Sequence, residues 1–309
     1  MLKDLKGKTA VLTGAGSGFG LECARIGARA GMHLVLVDVQ ADALERAAAE
    51  AQSLGAASVM ARRVDVSSGE AMAALAQEVQ QQRGAPHFVF NNAGVGGGGL
   101  VWEQTEADWQ WILGVNLWGV IHGVRQFTPM MLEAARQDPN WRGHIVNTAS
   151  MAGMLAPPNM AVYNVSKHAV VALTETLYQD LRLVTDQVHC SLLCPYFVPT
   201  GISDSERNRP NDMANAEMTA SQKVARAMSQ KAVGSGKVTA THIAEKVFAA
   251  MAEDQFYIFS HPHALGNVQT RMEDILQLRN PTDAFAGRPE VGQQLRDALR
   301  SAEAPAASA

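Results

Sequence analysis

The sequence predicts a three-layer, doubly wound α/β fold, with a mostly parallel seven-stranded sheet covered by helices on both faces, and three observations carry that prediction. Short apolar runs alternate with longer helical patterns from the start of the chain, and such alternation requires parallel strands joined by right-handed crossovers. The runs are continuous in Val, Ile and Leu, as in Thr9-Ala10-Val11-Leu12-Thr13 and His33-Leu34-Val35-Leu36-Val37-Asp38, so these strands are expected to be buried on both faces. A glycine-rich turn, Gly14-Ala15-Gly16-Ser17-Gly18-Phe19-Gly20, lies directly between the first strand and the first helix.

The elements follow in order. A helical pattern from Leu21 to Ala30 joins the first two strands, and another from Asp42 to Leu54 leads to a third strand over Ser58 to Val66. Ser67 followed by Glu70 has the form of a capping box for a helix that ends near Gly84. The strand Phe88-Val89-Phe90 runs into Asn91-Asn92-Ala93-Gly94 and a flexible Gly96-Gly97-Gly98-Gly99. Thr105 with Asp108 opens a helix that continues past Asn116 toward Met131, with Pro129 near its end. The strand His144 to Thr148 delivers Ser150, and after Pro157-Pro158 a long helix from Val162 to Leu183 carries Tyr163 and Lys167. The strand Val188 to Cys194 stops at Pro195, where the character changes. From Ser203 to about Lys237 the chain is polar and dotted with methionine, which predicts a lid inserted over 198–240. A helix from Thr241 to Met251 and a strand Phe256 to Phe259 complete the sheet. The whole of 1–309 reads as one domain with a C-terminal extension, 260–309, holding a further helix within Ser260 to Asp297 and a frayed Glu303 to Ala309.

Composition narrows the function classes. A net charge of -4 with interspersed signs argues against a nucleic-acid surface or a polybasic membrane patch and favours a small-molecule partner. No apolar run approaches the roughly 18 residues of a spanning helix, and the start has no apolar signal core, so a cytoplasmic location is expected. Cys23, Cys190 and Cys194 lack metal-ligand spacing, Cys190 and Cys194 in their apolar run read as reduced core thiols, and no metal is expected.

The chemistry-bearing residues fall into two groups. In a turn between strand and helix, Gly14, Gly18 and Gly20 permit a tight turn, close approach of backbone amides to a pyrophosphate and close helix packing, with Ser17 and Phe19 in the same loop. This is the dinucleotide-binding pattern of a Rossmann fold. Asp38 ends the second strand, where a carboxylate accepts hydrogen bonds from the adenosine ribose and repels a 2'-phosphate; with no basic residue at Ser17 or Val39, NAD is favoured over NADP. A glycine turn without a ligand and an aspartate that merely ends a strand are the alternatives. The second group is Tyr163 with Lys167, four apart and hence on one helix face, where an ammonium beneath a phenol stabilises the phenolate. A phenol titrating at about 10 must move by a few units to work near neutrality, at about 1.4 kcal/mol per unit, so the pair calls for a second positive influence. Alone, it is equally the pattern of a solvated helix face.

Taken together, Thr13 to Gly20, Asp65-Val66, Asn91-Asn92-Ala93-Gly94, Asn116, Asn147-Thr148-Ala149-Ser150-Met151-Ala152-Gly153 and Tyr163-Asn164-Val165-Ser166-Lys167 resemble the short-chain dehydrogenase/reductase family, over roughly Leu5 to Phe259. The resemblance implies an NAD-dependent oxidoreductase with Asn116, Ser150, Tyr163 and Lys167 as a catalytic tetrad. It places the adenine at Asp65 and Val66, the cofactor ribose at Asn92, Ala93 and Gly94, and the nicotinamide carboxamide at Val198 and Thr200, with Pro195, Tyr163 and Lys167 also touching the cofactor. Lys167 would bond the nicotinamide ribose, Asn116 would anchor a water chain to Lys167, and the oxidised nicotinamide would supply the missing positive influence. Tyr196 stands where the family often has glycine, and Asn147 is not carried over as catalytic. The resemblance also implies a homodimer or homotetramer.

For the substrate, the residues suggest Ser150, Met151, Met154, Tyr163, Tyr196 and Phe197 as pocket walls, with Val95, Gly96, Leu155, Met213 and Met218 nearby. Methionines, glycines and aromatics suit a medium or bulky secondary alcohol or ketone. With no arginine or lysine evident at these walls, a strongly anionic substrate is disfavoured. An NADPH-dependent carbonyl reductase and a nucleotide-binding protein without catalysis remain the alternatives.

Overall fold

A computed structural model of the chain describes residues 1–303. Its first half is a regular βα series: β1 (Thr9–Thr13), α1 (Gly18–Arg29), β2 (His33–Asp38), α2 (Ala41–Ser53), β3 (Ser58–Arg63), α3 (Gly69–Arg83) and β4 (Phe88–Asn91). Two helices follow, α4 (Glu106–Leu113) and α5 (Gly119–Gln137), joined by a π-type turn at Gly114–Trp118. The series resumes with β5 (Gly143–Thr148), α6 (Ala161–Val184) and β6 (Val188–Cys194). Residues 198–240 then leave the sheet for 3-10 stretches at Gly201–Asn208 and Asn211–Met213 and for α7 (Ala220–Gly234). The chain closes with α8 (Ala240–Glu253), β7 (Tyr257–Phe259), α9 (Leu265–Leu276) and α10 (Pro289–Glu303).

The strands form one sheet in the order β3-β2-β1-β4-β5-β6-β7, and every pairing among the described residues is parallel. Alternate residues of one strand serve opposite layers. Ala10 and Leu12 of β1 pack with Cys23, Ala24, Val247 and Met251, toward α1 and α8, while Val11 packs with Met72, Val79, Phe127 and Met131, toward α3 and α5. All five residues of β1 are buried, as its unbroken apolar run requires. Strand order reverses between β1 and β4, which opens a crevice at the carboxyl ends of these strands.

Several boundaries differ from the sequence expectation, each for a local reason. The cap of α3 is Ser68, whose hydroxyl accepts from Ala71 N at 3.2 Å; Ser67 is instead drawn back to Asp65, so the expected Ser67 box is displaced by one residue. The Thr105–Asp108 capping box forms with both bonds made. Pro129 does not end α5, which runs a further two turns to Gln137. The C-terminal extension holds two helices where one was expected, because the chain breaks after α9 at Leu278, a residue with φ of 55°. Of the expected frayed tail, 304–309 lie outside the described residues.

Candidate active site

The crevice at the carboxyl edge is lined from one end to the other by the glycine turn, the loops after β2, β3, β4, β5 and β6, and part of the 198–240 segment. Its floor is set by Thr13, whose hydroxyl accepts from the amides of Asn92 at 2.9 Å and Ala93 at 3.1 Å, so that the β1 and β4 loops are tied together. Gly14 has φ of 67° and a Cβ there would stand 3.0 Å from Ala93 Cα; Gly18 has φ of 54°. A Cβ on Gly20 would fall 2.2 Å from the Gly14 carbonyl oxygen, so Gly20 acts by letting α1 pack onto the turn and does not face the crevice. The first turn of α1 carries no acidic residue and Ser17 makes no side-chain cap. An unobstructed backbone cradle at a helix N-terminus fits a pyrophosphate.

Asp38 is fixed against this cradle, its Oδ2 accepting from Gly16 N and its Oδ1 from Gln40 N, both at 2.9 Å. Asp65 accepts from Ser67 N at 2.9 Å and from its hydroxyl at 2.7 Å, which fixes the turn leading to Val66. Asp38, Asp65 and Val66 line the crevice, as do Ala93, Gly94, Pro195, Val198 and Thr200. Thr200 stands across from the glycine turn, with its Cγ2 3.4 Å from a Cβ position on Gly18. These residues together fit a dinucleotide lying along the crevice.

Of the four residues expected to form a tetrad, Ser150, Tyr163 and Lys167 line the crevice, and Asn116 is buried behind it. Ser150 follows β5, and its hydroxyl donates to Pro195 O at 3.3 Å and accepts from Ala152 N at 3.1 Å. Tyr163 is in the first turn of α6, and Lys167 lies one turn on with its Nζ 5.7 Å from the phenol ring centre. The Lys167 ammonium donates to Thr148 O at 3.0 Å. Asn116 sits in the π-type turn, the kind of local widening that aims a side chain inward. It is fully buried, accepts from Val95 N at 2.8 Å and donates to Val95 O at 2.9 Å and Ser166 Oγ at 3.2 Å. Those bonds clamp the β4 loop to α6, so the Asn116 side chain is spent on the scaffold and makes no direct bond to Lys167. Gly94 lies between them: a Cβ there would be in van der Waals contact with both, 3.4 Å from Asn116 Oδ1 and 3.7 Å from Lys167 Nζ.

The electrostatics correct one expectation. Burial pushes the Tyr163 phenol above its ordinary value, with the Ser150 hydroxyl opposing, and Lys167 is not among the causes. Lys167 itself is pushed down to about 8 by burial, partly offset by Cys194. Desolvation disfavours both charged forms, so burial here works against ionisation of the phenol.

The expected substrate walls divide. Ser150, Tyr163, Tyr196 and Val95 line the crevice. Met151 is fully buried, Met154 packs with Val120, Val170, Val171 and Leu192, and Phe197 is turned onto Tyr196 with ring centres 4.3 Å apart; these three are not among the crevice-lining residues. The 3-10 turn after Ser150 folds its side chains back toward α6, where the core takes them. Trp111, Gln40, Ser205, Arg207 and Asn208 line the crevice and were not anticipated. Trp111 looks in sequence like any apolar position of an amphipathic helix, and Arg207 like a solvated charge in a polar insert. Arg207 brings a guanidinium to the crevice lining, held against the Gly201 and Asp204 carbonyls.

The 198–240 segment is latched to the β4–α4 region. Arg209 Nη1 lies 2.7 Å from Asp108 Oδ1 with both side chains almost fully buried, and the guanidinium lies 5.0 Å above the Trp111 ring. Asn215 and Gln222 donate to the same carboxylate at 2.8 and 3.0 Å. Burial alone would raise Asp108, but the bonds from Thr105, Arg209 and Asn215 hold it below the usual carboxylate range. Ser205 accepts from Gly96 N at 2.7 Å, and Gln40 donates to Asn208 Oδ1 at 2.5 Å, so the segment also reaches across the Asp38 end.

No group of three or more His, Cys, Asp or Glu is placed to hold a metal among the described residues, and no helix there is long and apolar enough to cross a membrane. Comparison with known proteins agrees with the geometry. The family described as short chain dehydrogenase matches residues 8–211. A crystal structure of a short chain dehydrogenase/reductase from Burkholderia phymatum in complex with NAD superposes with a TM-score of 0.87 at 52% identity, covering 91% of this chain and 99% of that one. A 1-deoxy-11-beta-hydroxypentalenate dehydrogenase from Streptomyces exfoliatus is 34% identical over 88% of this chain and 89% of its own length. A C alpha-dehydrogenase from Sphingobium sp. strain SYK-6 is 28% identical over 96% of this chain and 94% of its own. With the glycine cradle, the Ser150, Tyr163 and Lys167 cluster and the matched span all in agreement, the chain belongs to the short-chain dehydrogenase family of oxidoreductases.

Proposed function

We propose that the chain is an NAD-dependent dehydrogenase of medium or bulky secondary alcohols, with Tyr163 as its acid/base. The observation that carries the proposal is the convergence of Tyr163, Ser150 and Lys167 at one end of a crevice whose other end is a glycine cradle with Asp38 fixed against it. Asp38 presents a carboxylate where a 2'-phosphate would have to lie, which favours NAD over NADP. The Burkholderia phymatum relative is bound to NAD, and the Streptomyces exfoliatus relative is named as a dehydrogenase of a hydroxylated compound, both consistent with this reading.

A nicotinamide dinucleotide held in the crevice would supply the acceptor for the hydride that leaves the alcohol carbon. Tyr163 takes the hydroxyl proton as the C–H bond breaks, and Ser150 donates a hydrogen bond to the same oxygen to hold it against the phenol. Lys167, anchored through Thr148, would hold the nicotinamide ribose and keeps its ammonium one helical turn from the phenol. Asn116 positions the β4 loop, and Trp111, Val95 and Tyr196 give the substrate end an apolar wall. The segment 198–240 acts as the lid of this pocket, latched through Asp108 and Arg209.

The test is an absorbance screen of oxidation across secondary alcohols graded in size, run with NAD and with NADP. Turnover of bulky alcohols with NAD is expected. Stronger turnover with NADP, or turnover confined to small primary alcohols, overturns the reading.

A further inference from the structure

We propose that Arg207 closes over the cofactor pyrophosphate as a cationic clamp carried by the 198–240 segment, a role that rests on the dinucleotide reading above. Among the described residues lining the crevice, positive charge comes from Lys167 and Arg207, and negative charge from Asp38 and Asp65. Lys167 is committed to the Tyr163 end through Thr148, and the two carboxylates lie at the other end. A pyrophosphate held at the glycine turn would otherwise have only the helix terminus to offset its charge.

The position of Arg207 matches that gap. Its Nη1 donates to Gly201 O at 2.7 Å and to the Asp204 carbonyl, which pins the guanidinium beneath the Thr200–Gly201 turn. Thr200 in turn faces Gly18 across the crevice. Gly201 leaves room for the group: a Cβ there would lie 2.7 Å from Arg207 Nη2. Among the described residues, Nη2 and Nε make no hydrogen bond, and the nearest carboxylate oxygen, on Asp204, stands 3.9 Å from Nη1. Half of a rigid donor fork is thus free beside the cradle, a geometry suited to phosphate oxygens. The next residue, Asn208, accepts from Gln40 at 2.5 Å, which fastens the arginine-bearing stretch to the far side of the crevice. The insert is therefore a strap over the cofactor as well as a wall for the substrate.

Equilibrium binding of NADH, ADP and adenosine to the full chain, at low and high salt, tests the clamp. Arg207→Met is expected to weaken NADH and ADP by about ten-fold, the loss of one charge-assisted contact, to leave adenosine unchanged, and to flatten the salt dependence. Arg207→Lys should fall between, since it keeps the charge and loses the fork. Asn208→Ala, which unfastens the strap without removing charge, should leave the salt dependence intact. If Arg207→Met leaves ADP binding unchanged, or weakens adenosine and ADP in parallel, the clamp is overturned. If the unaltered chain binds neither NADH nor ADP, the dinucleotide reading falls, and the clamp with it.

Discussion

At the scale of single residues, the Tyr163 and Lys167 pair shows how burial and charge compete. Tyr163 and Lys167 share a helix face, as their spacing requires, yet burial opposes ionisation of both. Tyr163→Phe removes the acid/base, and turnover of an identified alcohol is expected to fall roughly a hundred- to ten-thousand-fold while NADH affinity measured by titration stays within a few fold. Lys167 leads to a pH prediction whose sign follows from its direction of shift. Its folded-state pKa of about 8 lies below the ordinary lysine value of about 10.4, so the unfolded chain binds more protons between them. The cost of burying this lysine is fully present below about pH 8 and is relieved as pH rises toward 10. Chemical denaturation of the cofactor-free chain should show Lys167→Met gaining stability over the parent at pH 7 and losing that advantage by pH 10. An advantage that is flat across this window contradicts the burial account.

At the scale of elements, the joint between α4 and the insert is held by a buried charge pair with a full set of partners. Asp108 caps α4 through Thr105 and also receives Arg209, Asn215 and Gln222. Removing one member of such a pair leaves an uncompensated charge and typically costs about 3–5 kcal/mol, whereas replacing both is far milder. Arg209→Met is therefore expected to lower the denaturation midpoint strongly, and Asp108→Asn combined with Arg209→Met to recover part of the loss. Because Arg209 also covers Trp111, which lines the crevice, the single variant should raise KM for a bulky alcohol more than it lowers kcat. The glycine turn makes the complementary point. Its conformation was legible from residue types alone, since Gly14 and Gly18 occupy positive φ and Gly20 abuts a carbonyl oxygen, positions that a side chain would strain.

At the scale of the whole molecule, α6 leaves an outward stripe without charge, Val165, Ala172, Thr176 and Leu183, with Leu183 82% exposed. Such a stripe on a long helix suits burial against a second copy, in line with the expected homodimer or homotetramer. Sedimentation should find an oligomer, and Leu183→Glu should shift it toward smaller species. An unshifted oligomer places the interface elsewhere.

What the sequence by itself determined is the backbone scheme and the chemistry at its edge. Continuous apolar runs of this length, rich in Val, Ile and Leu, suit buried strands, βα alternation makes them parallel, and the glycine turn, Asp38, Ser150 and Tyr163 lie at strand ends or in the first turn of a helix, with Lys167 one turn further on, positions that local pattern specifies. Tertiary structure alone decided which side chains face the crevice. Met151 and Met154 looked like pocket walls from their nearness to Ser150, but the 3-10 turn there sends them into the core. Trp111, Arg207 and Asn208 reach the crevice from segments up to 170 residues from Asp38, carried there by hydrogen bonds such as Gln40 to Asn208, whose partners stand 168 positions apart. Periodicity reports which face of an element is apolar, not what that face meets, and the insert has weak periodicity to begin with. The proton affinity of Tyr163 followed the same division: spacing announced its partner, and only the packed environment showed that burial outweighs it.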